Sequence, residues 1–269
     1  MVFVDSHCHI EGAEFDHDRD EVIKRAEDVG VKYLLNIGTG EADSGCFERA
    51  VAFAEKYKNI FTAIGVHPHD AKTFNTKVEK RLITLIEESK KVIAWGEIGL
   101  DFYYDHSPRE IQESVFRRQI QVAREMDLPI IIHSREADYK TAEILTAECK
   151  HKNFRGGIMH CFGGTTKMAE QLLEIGFLIS FAGNVTFKKA DNLRDTAQVV
   201  PLDKLLIETD CPYLAPEPVR GKRNEPSFVL HTAKFLADFY GLELEKLANQ
   251  TTKNFLDFFK IDQVWLNEK

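Results

Sequence analysis

Eight short apolar runs recur along this chain, separated by segments with the hydrophobic spacing of α-helices. The runs are Val2–His9, Tyr33–Ile37, Phe61–Val66, Val92–Glu97, Ile130–His133, Gly157–His160, Phe177–Phe181 and Leu205–Thr209. The clearest helical segments are Asp18–Val29, Ser44–Tyr57, Ser107–Met126 and Thr165–Ile175. Regular alternation of strand and helix predicts a parallel sheet, because a crossover helix returns the chain to the end of the sheet where the next strand starts.

Eight such units favour closure of the sheet into a (β/α)8 barrel of the TIM type. An open, doubly wound sheet is the alternative, but no G-x-G-x-x-G turn follows the first strand, and polar residues end many strands rather than two. The 269 residues match the length of one such barrel. We therefore expect a single α/β domain over residues 1–269, closed by helices in Ser227–Trp265 that carry an apolar patch of Phe255, Phe258 and Phe259.

Local signals support the helix assignments. Ser107 and Pro108 are typical of an N-cap followed by proline at the first helical position, whereas Gly30 and Gly176 stand where C-terminal caps belong.

Polar residues at the strand ends predict the position of a site. His7 and His9 are two residues apart in the first strand, so both imidazoles face the same side. Four later strands end in Glu97, His133, His160 and Asp210. Because the C-terminal ends of barrel strands share one face, all six side chains can converge there.

A strand histidine considered alone is more often a hydrogen-bonded core residue than a metal ligand. Six such residues at matching strand ends favour ligation instead. A single catalytic zinc usually takes three protein ligands and a water, so six ligands suit two divalent cations, with Glu97 as the bridge. The imidazoles favour zinc, manganese, cobalt or nickel over magnesium.

The polar strand ends lie within longer motifs: DSHCHI, GVHPHDA, WGEIGLDFYYDHSP, QIQVAREMDLPIIIHSREA, GIMHCFGG and IETDCPYLAPEPVRGKRNEP. In these motifs, which run from Asp5 to Pro226, the sequence resembles the TatD family of metal-dependent deoxyribonucleases, a group of amidohydrolase-like barrels. The resemblance implies the same metal ligands: His7, His9, Glu97, His133, His160 and Asp210. Gly163, where relatives tend to carry serine, and Cys8 in H-x-H are departures that remove no ligand.

The resemblance implies hydrolysis of phosphodiester bonds, with single-stranded DNA as the expected substrate. In this hypothesis His7 and His9 hold one cation and His133 and His160 the other. The catalytic residues are Glu97, which bridges, and Asp210, which binds the first cation and relays the proton of the nucleophile.

Several further residues are candidate substrate contacts: His67, Arg135, Arg220, Lys222 and Arg223. Each has an ordinary alternative, since loop histidines are often solvated and basic side chains often form surface ion pairs. His69, two residues after His67 at the end of the third predicted strand, could likewise orient the substrate. Asp101 either supports Glu97 without binding metal itself or caps the next helix.

Composition limits the alternatives. The net charge of −8 gives no overall attraction to nucleic acid, so any phosphate contact must be local. Five cysteines without a C-x-x-C pair, no signal peptide and no long apolar run predict a reduced, cytoplasmic protein that does not contact a membrane. Three of them, Cys8, Cys161 and Cys211, adjoin predicted ligands and are expected to turn away from the pocket.

Two rival functions stay open at this point. A related barrel hydrolase could act on amides or lactones, because the same metal chemistry attacks carbonyl carbon. A non-catalytic metal-binding scaffold is the second rival, although structural zinc sites are commonly rich in cysteine.

Overall fold

The sheet is built as the alternation predicts. A computed structural model describes residues 1–149 and 154–261. Its strands are β1 (Phe3–Cys8), β2 (Val31–Gly38), β3 (Ile60–Ile64), β4 (Val92–Asp101), β5 (Ile130–Arg135), β6 (Gly157–Met159), β7 (Leu178–Phe181) and β8 (Leu205–Ile207). They lie in the order β1 to β8, and every neighbouring pair in that order is parallel.

Backbone hydrogen bonds close this sheet on itself. The Asp210 N–H donates to the carbonyl of His7 at 3.0 Å, and the His9 N–H donates to the carbonyl of Cys211 at 2.9 Å. The segment after β8 is thereby joined to the end of β1. The predicted (β/α)8 barrel is confirmed.

The helices are α1 (Arg19–Asp28), α2 (Cys46–Glu55), α3 (Thr76–Glu88), α4 (Arg109–Glu125), α5 (Asp138–Glu148), α6 (Thr166–Glu174), α7 (Asp191–Val199), α8 (Val229–Tyr240) and α9 (Leu244–Phe259). Those from α1 to α7 follow one strand each, and α8 and α9 come after β8. Within the described part of the chain, none of these helices is both long and apolar enough to cross a membrane.

Helix α9 covers the end of the barrel opposite the strand ends that carry the predicted metal ligands. Phe255 and Phe259 join the inner core formed by residues such as Val4, Leu35 and Phe61. The Thr252 hydroxyl donates to the carbonyl of Val2, just before β1. Phe258 is partly buried against the same cluster, so the predicted aromatic patch acts as a plug. The predicted stretch ended at Trp265, which lies outside the described residues.

The helix caps agree with the sequence in two of three places. Gly30 and Gly176 follow α1 and α6 with φ of +96° and +90°, as expected for C-terminal caps. The prediction at Ser107 was wrong, because Pro108 occupies the N-cap of α4. The Ser107 hydroxyl instead donates to the carbonyl of His69 and accepts from Lys72 N–H. A contact remote in sequence thus takes the hydroxyl that a local rule assigned to the helix.

Gly99 allows β4 and β5 to approach closely. Its φ is +148°, and a Cβ there would lie 1.9 Å from the His133 carbonyl oxygen. We expect Gly99→Ala to lower the free energy of unfolding by about 3 kcal/mol or more, through overpacking and backbone strain. Urea denaturation would measure the loss. Gly176→Ala is the matched control, because φ is also positive but its Cβ would meet nothing within 4 Å. Equal stability of the two variants would contradict this account of Gly99.

Candidate metal centre

A cavity of about 1000 Å³ opens at the C-terminal ends of the barrel strands. Five predicted ligands line it: His9, Glu97, His133, His160 and Asp210. The sixth, His7, is fully buried beneath them, and its ring stacks on that of His160 with centroids 3.8 Å apart. The structure therefore brings all six side chains together.

Glu97 lies at the centre of the cluster. Its Oε1 is 2.7 Å from His160 Nε2, 3.0 Å from His133 Nδ1 and 3.5 Å from His67 Nε2. Its Oε2 is 3.5 Å from His7 Nε2. One buried carboxylate therefore contacts imidazoles from β1, β5 and the segments that follow β3 and β6.

The position of Glu97 in its strand differs from the prediction. Glu97 does not end β4, which continues to Asp101 and pairs with β5 as far as Arg135. The pairing with β5 shifts register between Trp95 and Ile98, on either side of Glu97. Such an irregularity redirects a side chain without ending the strand, and it is common beside active sites.

Asp210 and His9 form the second half of the cluster. Asp210 Oδ1 is 3.5 Å from His9 Nε2 and 3.8 Å from His7 Nε2. The two histidine Nε2 atoms lie 3.3 Å apart, which confirms that His7 and His9 face the same side. Asp210 has a φ of +55°. Its backbone bond to His7 and this turn hold the carboxylate over the end of β1.

The electrostatics keep both carboxylates ionised. Burial alone raises the pKa of Glu97, but His160, His67 and His133 together hold it well below its ordinary value. Burial likewise opposes ionisation of Asp210, yet its bond to His9 lowers its pKa. Burial lowers the pKa of His9, and the Asp210 carboxylate more than offsets this and raises it to about 9. At neutral pH the cluster thus presents two anionic oxygen donors among imidazoles.

Asp101 supports the cluster through a histidine rather than through Glu97. Its Oδ2 lies 3.1 Å from His133 Nε2 and 2.8 Å from His69 Nε2. Its Oδ1 accepts from the backbone N–H groups of Tyr103 and Tyr104. The prediction that Asp101 caps the next helix was wrong, because Pro108 is the N-cap of α4; Asp101 instead binds His133, which in turn contacts Glu97. A carboxylate on the far nitrogen of an imidazole fixes its tautomer and orientation.

Glu208 plays a similar part and was missed in the sequence. Its Oε1 lies 3.3 Å from His160 Nδ1 and accepts from the Cys161 N–H at 2.6 Å. The side chain is fully buried. The signal was present, because Glu208 is two residues before Asp210 and an acidic residue is rarely buried without a partner.

The cysteines beside the ligands follow the prediction in two of three cases. Cys8 and Cys211 are buried in the core outside the inner barrel. Cys161 instead lines the cavity, with its sulfur 3.7 Å from the amide nitrogen of Asn184. The prediction failed there because Cys161 follows the end of β6 with a φ of +42°, where the alternation of strand side chains no longer applies.

The candidate substrate contacts are distributed unevenly. His67 and Arg135 line the cavity, and the Arg135 guanidinium stacks over the ring of Tyr103 at 4.1 Å. Arg220 lies in a neighbouring groove. Arg223 forms two hydrogen bonds with Asp18 at 2.6 and 2.8 Å, which hold it outside the cavity.

Lys222, in the same loop as Arg220 and Arg223, is exposed. It lines neither the cavity nor the neighbouring groove. Of the three basic residues in this loop, the structure brings only Arg220 to the edge of a cleft.

The donor set fits divalent cations. Three overlapping groups have ligand atoms that all lie within 4.8 Å of one another: His7 with His160 and Asp210, His7 with His9 and Glu97, and His67 with Glu97 and His133. Imidazole nitrogens and carboxylate oxygens suit transition-metal cations, and no cysteine is needed. His67, predicted as a substrate contact, also lies within this donor set.

Fold and site together define a metal-dependent hydrolase built on a (β/α)8 barrel. The family described as TatD related DNase matches residues 4–260. The chain is 42% identical over 262 residues to the uncharacterized metal-dependent hydrolase YabD of Bacillus subtilis, covering 97% of this chain and 100% of YabD. The chain belongs to the TatD-related DNase family.

Two further relatives extend the comparison. The 3'-5' ssDNA/RNA exonuclease TatD of Cronobacter sakazakii is 37% identical over 251 residues, covering 91% of this chain and 93% of that protein. The crystal structure of the TatD homolog YjjV from Escherichia coli superposes with a TM-score of 0.89 at 30% identity, covering 97% of this chain and 98% of YjjV. The likeness therefore extends over nearly the whole barrel.

Proposed function

We propose that this protein hydrolyses phosphodiester bonds of single-stranded DNA, using two divalent cations held by His7, His9, Glu97, His133, His160 and Asp210. The observation that carries the proposal is Glu97, whose Oε2 lies near His7 Nε2 while its Oε1 lies near His133 Nδ1 and His160 Nε2. A carboxylate so placed suits a bridge between two cations. The name of the Cronobacter relative supports nucleic acid as the substrate.

In this proposal the ligands divide between the two cations as follows. His7, His9 and Asp210 would hold one cation, and His133 and His160 the other, with Glu97 shared. Bound there, such cations lower the pKa of water toward neutrality and offset charge that builds up on phosphoryl oxygens. Zinc, manganese, cobalt and nickel suit these imidazoles better than magnesium does.

Asp210 is the proposed proton acceptor. Its carboxylate is ionised at neutral pH, lines the cavity and is oriented by His9. It can therefore take a proton from the attacking water and deliver it to the departing oxygen. Arg135 stands at the cavity wall, where its planar guanidinium would donate to a phosphate.

Hydrolysis of end-labelled single-stranded DNA by metal-reconstituted protein would test the proposal. We expect turnover that chelation abolishes and that manganese or zinc restores. A panel with phosphodiesters, cyclic amides and lactones separates the rival chemistries, because the same cations can serve carbonyl substrates. Turnover of amides or lactones without nuclease activity would overturn the choice of substrate. Metal binding without any turnover would favour a scaffold.

Glu208→Ala should weaken metal binding although Glu208 is not itself a proposed metal ligand. The substitution removes the acceptor beside His160 Nδ1 and leaves the Cys161 N–H unpaired. We expect metal affinity to fall about 10- to 100-fold and the free energy of unfolding to fall by about 1–3 kcal/mol. Titration calorimetry and urea denaturation measure these changes. Glu208→Gln keeps an acceptor oxygen and should recover part of both losses. Wild-type metal affinity in Glu208→Ala would show that this carboxylate does not position His160.

A further inference from the structure

A second cleft adjoins the cavity. This groove, of about 590 Å³, lies between the segment after β7, the start of α7 and the loop that carries Arg220. Gly163 and Asn184 line both the groove and the cavity. The two clefts are therefore adjacent, and a chain leaving one can enter the other past these two residues.

The charge of the groove is the reverse of the charge of the molecule. Lys188, Lys189 and Arg220 line it, and no carboxylate of residues 1–149 or 154–261 does so. Lys188 and Lys189 are exposed. The Arg220 guanidinium carbon lies over the ring of Phe187, 4.2 Å from its centroid, and Glu217 approaches the guanidinium no closer than 3.8 Å. In a chain of net charge −8, these three basic side chains make the groove a local region of positive charge.

The cavity itself has the opposite character. Carboxylates outside the donor cluster line it, among them Glu14, Glu136 and Asp138, against two arginines. These carboxylates repel a polyanionic strand that leaves the reaction centre on their side. The side that leads past Asn184 offers the positive charge of Lys188, Lys189 and Arg220.

We infer that the groove binds the phosphates of a single-stranded polynucleotide that extends out of the cavity past Gly163 and Asn184. Lys188, Lys189 and Arg220 contact these phosphates, while the cavity holds the end of the strand. This inference rests on the proposed function, which it deepens: it makes the substrate an oligonucleotide rather than a small phosphate ester. Long substrates then bind better than short ones because the added phosphates reach the groove.

The test compares Lys188→Ala/Lys189→Ala with wild-type protein and with Lys77→Ala/Lys80→Ala. The control removes two exposed lysines from α3, outside both clefts, so net charge changes equally. Binding of a fluorescein-labelled, phosphorothioate-linked thymidine 12-mer to metal-loaded protein is followed by fluorescence polarisation. For the Lys188→Ala/Lys189→Ala variant we expect Kd at 50 mM salt to rise about tenfold or more relative to wild type. The slope of log Kd against log salt should fall by about 1.4. The control variant should show neither change.

A second readout separates this inference from the proposed function. In wild-type protein KM should be lower for a thymidine 12-mer than for a dinucleotide, and the groove variant should lose this gain. If wild-type protein cleaves both substrates but the groove variant binds the 12-mer as wild type does, the groove inference is wrong and the proposed function stands. If wild-type protein cleaves neither, the proposed function is wrong, and the binding comparison still decides whether the groove holds polynucleotide.

Discussion

Asp210→Asn is expected to lower kcat for single-stranded DNA by about 10³-fold while leaving part of the metal bound. The amide keeps the shape of the side chain and one oxygen toward His9, but it cannot accept the proton of the attacking water. Single-turnover kinetics beside metal analysis of the same sample measure the two effects separately.

The matched control for Asp210→Asn is Asp238→Asn, an exposed position on α8 that should change neither quantity. Unchanged turnover in Asp210→Asn would remove Asp210 from the mechanism. Complete loss of metal from this variant would instead make Asp210 chiefly a ligand, and its assigned role in proton transfer would then have no support.

Glu97→Ala is expected to abolish measurable hydrolysis, with a loss of at least about 10³-fold, and to reduce the bound metal below two ions per chain. The cause is the central place of this carboxylate: its loss removes the only proposed ligand shared by both cations. It also removes a carboxylate that contacts His7, His133 and His160 at once. Metal content after gel filtration measures the loss of bound ions, and hydrolysis rates measure the loss of activity.

Glu97→Gln keeps the volume and tests whether the charge matters. We expect it to resemble Glu97→Ala in metal content, whereas Glu88→Gln, an exposed position on α3, should behave as wild type. Circular dichroism melts would show whether each variant is folded. A folded Glu97→Gln protein with two tightly bound ions would contradict the bridging role.

The barrel and the six converging side chains could be predicted from the sequence for related reasons. Strand alternation with period 2 places His7 and His9 on one side, and the parallel order of strands places the ends of β1, β4, β5, β6 and β8 on one face. Both rules depend only on local pattern and on topology. Single-domain organisation and a cytoplasmic location stay predictions.

What escaped prediction depends on contacts between residues distant in sequence. Glu97 enters the cavity at a register shift inside β4, and no local pattern marks where two strands change register. Arg223 belongs to a basic loop in the sequence, but Asp18, 205 residues away, binds its guanidinium. Cys161 faces the cavity because a positive φ follows the strand end. In each case the fold supplies a partner or a turn that the neighbouring residues do not reveal.

Anomalous diffraction from crystals grown with manganese would locate the cations relative to Glu97. We expect two peaks, one among His7, His9 and Asp210 and one beside His133 and His160, both in contact with Glu97. A single peak, or peaks that leave Glu97 without a metal contact, would contradict it.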